Sequence, residues 1–126
     1  MSTADLARRF VDAIDRVDLD ALRSHLAPDA RFWVNIGPTE YSADERLAVL
    51  DLERQNLRDH RTDDVRITVT DSGFVAQLTS LGTTTTGEAM RVAVCLVATV
   101  VDGRITRVDE YADSAAAAPL IRALYG

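Results

Sequence analysis

Apolar residues recur every three or four positions at the start of the chain, at Leu6, Phe10, Ile14 and Val17. That period lays one apolar stripe along a helix and predicts one from about Ala4 to Val17, capped by Ser2 or Thr3. Asp18 caps a second, shorter helix that carries Leu19, Leu22 and Leu26 and that Pro28-Asp29 ends. The period then drops to two. In the strand Ala30 to Ile36, Phe32, Val34 and Ile36 share one face, and Arg31, Trp33 and Asn35 share the other. Gly37-Pro38 stops this strand. Ser42 and Glu45 have the spacing of a capping box, so a third helix is expected from there to about Arg58, with Leu47, Leu50 and Leu57 on its stripe.

Strand signals fill most of the second half. Val65 to Thr70 alternates cleanly, Asp71-Ser72-Gly73 turns the chain, and Phe74 to about Thr85 forms the next strand. After Gly87, the run Val92 to Val101 is almost wholly apolar and rich in β-branched residues, which suits a strand covered on both faces. Asp102-Gly103 is a hairpin dipeptide, because a tight turn there demands positive φ. Arg104 to Ala112 is the returning strand. Ser114 to Ala118 reads as helical, and Pro119 either begins a last helical turn or kinks the segment. No repeat or linker divides the sequence, so residues 1–126 are read as a single domain. The order of elements predicts an α+β fold. Its form is a cystatin-like cone: a curved, mostly antiparallel sheet wrapped around a long helix, with N-terminal helices and a cavity at one end.

Composition narrows the function. Fourteen basic residues stand against twenty acidic ones, giving a net charge of −6, and no basic run occurs. A surface that tracks phosphates needs clustered Lys and Arg, so no nucleic-acid partner is expected. Cys95 is the single cysteine, which excludes an internal disulfide; it reads as a small buried core residue. The N-terminal stretch has no apolar signal core and no run is long enough to span a bilayer, so the expectation is a cytoplasmic protein with no membrane partner. His25 and His60 are the only histidines. His60 falls at the expected end of the third helix, where the helix dipole favours its charge. Metal-ligand spacing, phosphate loops and nucleophile elbows are all missing, so no metal and no cofactor are expected.

One residue on the central hairpin stands out. Glu110 shares strand parity with Val108 and Ala112, which would place a carboxylate on an apolar wall. Desolvation raises the pKa of such a group and suits it to proton transfer near neutral pH. The same carboxylate reads equally as one satisfied by an Arg, by helix amides or by solvent. Asn35 has two readings as well, orienting a water or substrate carbonyl, or bonding to backbone. Trp33 is a candidate wall residue or a core or interface one. Gln77 and Thr79 are polar strand residues that could face a pocket. Val108 and Ala112 would flank Glu110 there.

With this order of elements, and with HLAPDARFWVNIG at the first strand and DGRITRVDEYAD at the last, the chain resembles the nuclear transport factor two-like superfamily over essentially its full length. That group includes SnoaL-type polyketide cyclases, ketosteroid isomerases and limonene-epoxide hydrolases. The resemblance implies a small-molecule pocket. Trp33 and Asn35 match the Tyr and Asn spacing that holds a nucleophilic water in the epoxide hydrolases. The Arg of those enzymes falls on Gln77, and their two Asp positions fall on Thr79 and Glu110. The general-base Asp of ketosteroid isomerases falls on Val34. In SnoaL-type cyclases a deep acidic residue serves an aldol closure, a part that Glu110 would fill.

Two classes of function are therefore expected of the chain. The first is a cofactor-independent acid/base enzyme (isomerase, cyclase or hydrolase) on a hydrophobic small molecule, with Glu110 and Asn35 catalytic and Trp33, Gln77, Thr79, Val108 and Ala112 binding substrate. The second is a non-catalytic ligand-binding or dimerisation module of the same fold. In both, the outer sheet face is expected to form a homodimer, because the helices can cover only one side.

Overall fold

The computed structural model describes residues 1–126. Helix α1 (Thr3–Arg16) is capped by the Ser2 side chain, which accepts from the Asp5 amide, and ends at Val17 in the left-handed region. Asp18 caps α2 (Leu19–Ser24). Strand β1 (Leu26–Val34) and the short β2 (Thr39–Ser42) precede α3 (Ala43–Gln55), whose capping box between Ser42 and Glu45 is complete. Four long strands follow: β3 (Leu57–Thr70), β4 (Gly73–Thr84), β5 (Ala89–Val101) and β6 (Arg104–Ala112). Helix α4 (Ala118–Tyr125) closes the chain with Pro119 in its first turn, so the proline starts a helix rather than kinking one, and residues 114–117, expected to be helical, form turns ahead of it.

The six strands form one sheet in the order β2-β1-β6-β5-β4-β3, antiparallel except where β1 runs parallel to β6. The α+β cone is thus the fold. Helix α1 lies across β3 and β4 and buries Leu6, Phe10 and Val11. Phe10 meets Phe74 edge to face, with ring centroids 6.3 Å apart. The Asp102-Gly103 turn has φ of 51° and 76°, as a tight hairpin that follows the sheet twist requires. At Gly73 a Cβ would lie 2.0 Å from the Ala98 carbonyl oxygen, so the sheet tolerates only glycine there.

Further parts of the chain differ from the sequence reading, among them the unannounced β2 and the end of α2 at Ser24. Strand β1 starts at Leu26, before Pro28, because a bulge between Leu26 and Arg31 absorbs the proline while Leu26 pairs with Ile105. The third helix stops at Gln55, and β3 already begins at Leu57. Residues 57–64 are too charged to announce a strand, yet as an edge strand β3 can face water. Two bulges interrupt it, with Asp59 and Asp64 at positive φ. Finally, Cys95 is half-buried on the outer sheet face rather than in the core, since the alternation of β5 sends Leu96, Val94 and Val92 inward.

Candidate functional site

Cross-strand register decides which residues face the cone. One row across the sheet runs Val34, Glu110, Leu96, Ala76, Ile67. Val34, Leu96 and Ala76 are all buried, so Glu110 projects into the apolar interior. The adjacent row runs Trp33, Asp109, Val97, Val75, and the next carries Tyr111, Cys95, Gln77 and Arg66. Both lie on the outer face.

Between the sheet and α1, α3 and α4 lies a cavity of about 150 Å³, lined by 25 residues of which 19 are hydrophobic. Glu110, Val108 and Ala112 line it together. Trp33, Gln77 and Thr79 do not, which corrects their expected place on the wall. Trp33 stacks on Tyr111 outside the sheet, at 5.3 Å between ring centroids. Gln77 and Thr79 edge a shallow outer groove beside Cys95. The candidate list had mixed the two faces: parity within a strand is readable, but the register that aligns one strand's parity with the next is not.

Asn35 also stands apart from the cavity. Its Nδ2 donates to the Ala112 carbonyl at 3.1 Å, and its Oδ1 accepts from the Ala112 amide at 2.9 Å. Its own amide donates to the Glu110 carbonyl at 3.1 Å. The side chain thereby extends the β1–β6 ladder past the end of β1, with one bond at each end of its amide. The backbone reading of Asn35 is the one realised.

The polar part of the cavity comes largely from α3. Arg46, Leu50 and Glu53 fall at helical spacings on its inner face and all line the cavity. The Arg46 guanidinium is 7% exposed and its Nη2 lies 3.3 Å and 3.4 Å from the two Glu110 carboxylate oxygens; the Glu110 side chain is 20% exposed. Burial pulls the Arg46 pKa down, but the Glu110 and Glu53 carboxylates outweigh it and hold the guanidinium above its ordinary value. Glu53 behaves oppositely. Burial raises its pKa, Arg46 opposes that, and Glu110 adds to it, with a net upward shift. One cation thus faces two carboxylates in an apolar enclosure, which favours a proton on Glu53.

Sequence reasoning missed Arg46, Glu53, His60 and Ser80. The spacing of Arg46, Leu50 and Glu53 beside Leu47 is a helical signal that could have found the first two. His60 is on β3, not at a helix end. The bulge between Arg58 and Arg61 turns its ring into the cavity, where its nitrogens meet the Asp15 carbonyl and the Ser80 hydroxyl. No group of three His, Cys, Asp or Glu side chains is gathered as metal ligands would be.

An apolar cone with a charged cluster at its wall is the architecture of a nuclear transport factor two-like pocket protein. Residues 7–108 match the SnoaL-like domain, and the chain belongs to that family. Solved structures share the fold at low identity. PrhC from Penicillium brasilianum superposes with a TM-score of 0.84 at 11% identity, covering 97% of this chain and 87% of that one. A protein from Xanthomonas campestris described as a candidate polyketide cyclase has a TM-score of 0.81 at 24% identity, covering 90% and 91%. IdmH from Streptomyces antibioticus, also described as a candidate polyketide cyclase, has a TM-score of 0.79 at 19% identity, covering 97% and 99%. No functionally curated protein matches the sequence significantly. No helix is long and apolar enough to cross a membrane.

Proposed function

We propose that the chain is a cofactor-independent acid/base enzyme that moves a proton on a hydrophobic carbonyl compound, in an isomerisation or ring closure. One observation carries this reading: Arg46 pairs with Glu110 inside the apolar cavity, and the carboxylate of Glu53 lines the same cavity within reach of their charges. Glu53 is the proton carrier, because burial raises its pKa and a carboxylate with a raised pKa is a stronger base when ionised. Arg46 stabilises the enolate oxygen that forms when the proton leaves carbon. Glu110 anchors Arg46, so the acid/base role expected of it passes to Glu53. The names of the cyclase-like neighbours are consistent with this chemistry.

The test is hydrogen–deuterium exchange at the α-carbon of 2-tetralone in heavy water, followed by proton NMR. Exchange should be accelerated by the wild type and fall roughly 10²–10⁴-fold in Glu53→Gln, the usual contribution of a general base. The close Arg46–Glu110 pairing favours a second reading, a ligand-binding module in which the charges only fix the pocket. Wild-type protein that binds the ketone without accelerating exchange would support that module.

The outer sheet face is the proposed homodimer surface. Val65, Val97 and Tyr111 are 43%, 38% and 48% exposed there, beside the half-buried Trp33. A patch of this kind normally meets a partner.

A further inference from the structure

The cavity has a second polar group, on β3 and β4, that the acid/base proposal does not use. Ser80 is four residues beyond Ala76, the β4 member of the Glu110 row, and points to the same interior. Its Oγ is 2.9 Å from His60 Nε2, and this is the only hydrogen bond the hydroxyl makes. His60 Nδ1 is 3.1 Å from the Asp15 carbonyl oxygen. Asp15 is itself fixed, since its Oδ1 accepts from the Thr62 amide at 2.6 Å and from the Thr62 hydroxyl at 2.9 Å.

These contacts have a direction. A carbonyl oxygen only accepts, so Nδ1 must carry hydrogen. In the neutral ring Nε2 is then an acceptor, and the Ser80 hydroxyl donates to it. The Ser80 proton is committed, while its oxygen lone pairs remain available to the cavity. A ligand hydroxyl that donates to Ser80 joins a chain in which every group is satisfied and each bond polarises the next. A ligand that offers only an acceptor either makes no bond to Ser80, with lone pairs facing lone pairs, or takes the Ser80 proton and leaves His60 Nε2 without its partner.

We propose that Ser80 and His60 form a hydroxyl-recognition site, selecting apolar ring compounds that carry a phenol or alcohol donor over the same skeleton with an ether or a bare carbonyl at that position. This rests on the reading of the cavity as a small-molecule site but not on its being catalytic. The ligand class is thereby narrowed to hydroxylated hydrophobic rings, with the hydroxyl at the Ser80 end and the group undergoing chemistry at the Arg46 end.

The experiment is calorimetric titration with 2-naphthol and 2-methoxynaphthalene in mildly alkaline buffer, which keeps an imidazole neutral. Naphthol should bind about tenfold more tightly than the ether, the ratio expected when one ligand satisfies a buried acceptor and the other orphans it. Ser80→Ala should bring naphthol down to the affinity of the ether and leave the ether nearly unchanged. Ser80→Thr, which keeps the hydroxyl, should retain the preference and shows whether loss in the alanine variant is more than local damage. Equal affinities in the wild type, or binding of neither compound, would overturn the proposal. So would a preference that survives Ser80→Ala but disappears in Glu53→Gln, since the hydroxyl would then be donating to the carboxylates. Loss of ketone exchange in the wild type, by contrast, touches only the catalytic reading.

Discussion

Replacing Arg46 by Met separates the electrostatic role of this residue from its volume. Methionine fills much of the same space but removes the only cation facing Glu53 and Glu110. Breaking a buried ion pair by deleting one partner costs about 3–5 kcal/mol, because the remaining charge stays desolvated. Glu110 is 20% exposed, so water recovers part of that and the lower end, about 3 kcal/mol, applies. A domain of 126 residues has an unfolding entropy near 0.26 kcal/mol/K by the usual per-residue value of about 2.1 cal/mol/K, so the midpoint should fall by roughly 11 °C. Glu53, whose pKa burial already raises, can also escape the penalty by taking up a proton. The variant should therefore lose less stability in acid than at neutral pH. Urea unfolding across a pH series measures both quantities, and Arg46→Met combined with Glu110→Gln should recover part of the loss. A cost under about 1 kcal/mol at neutral pH would be the value of a surface pair, and would refute the claim that this cluster is desolvated.

Glu53→Gln should raise stability at neutral and alkaline pH. Its folded pKa is raised by burial, so the folded state holds a proton that the unfolded state has released, and stability falls as pH rises from the ordinary carboxylate value through the folded one. The glutamine variant should lose that part of the pH dependence; a pH–stability profile identical to the wild type would refute it. Asn35→Ala should cost about 1–3 kcal/mol in chemical denaturation, since it strands the Ala112 amide and carbonyl at the end of the ladder. The same variant should leave naphthol binding unchanged. Val97→Glu should convert a dimer to a monomer in light scattering, and the fluorescence of Trp33, the single tryptophan, should change on dilution of the wild type but not of the variant. A wild type already monomeric at micromolar concentration would remove the dimer proposal.

What was legible in the sequence is what short-range chemistry fixes. Asp18 and Ser42 cap helices because a side-chain oxygen reaches an amide two or three residues on. Asp102-Gly103 turns the hairpin because both positions adopt positive φ. The parity of Val108, Glu110 and Ala112 follows from the strand period alone. Three things were not legible. The first half of β3 is an edge strand whose charged residues face water, so it lacks the alternation that marks a half-buried strand. Trp33, Gln77 and Thr79 have readable parity within their own strands, but their side of the sheet is set by pairing with residues far along the chain. His60 owes its position to a bulge, which shifts the parity of everything before it.

The pocket's chemistry depends on charge number more than on any single residue. With Glu53 and Glu110 both ionised, one guanidinium leaves a net negative charge inside an apolar wall; with one proton added, the cluster is neutral. The neutral form is the better host for an uncharged ring compound, and the added proton sits where burial favours it, on Glu53. In the proposed step Glu53 must first give up that proton; once ionised it takes the proton from carbon while the enolate oxygen carries the negative charge beside Arg46, so cluster and substrate together hold one net negative charge before and after. On this proposal the negative charge only moves between Glu53 and the enolate oxygen, and Arg46 faces both positions. Arg46, held by Glu110 on the facing strand, is what would make the Glu53 carboxylate usable.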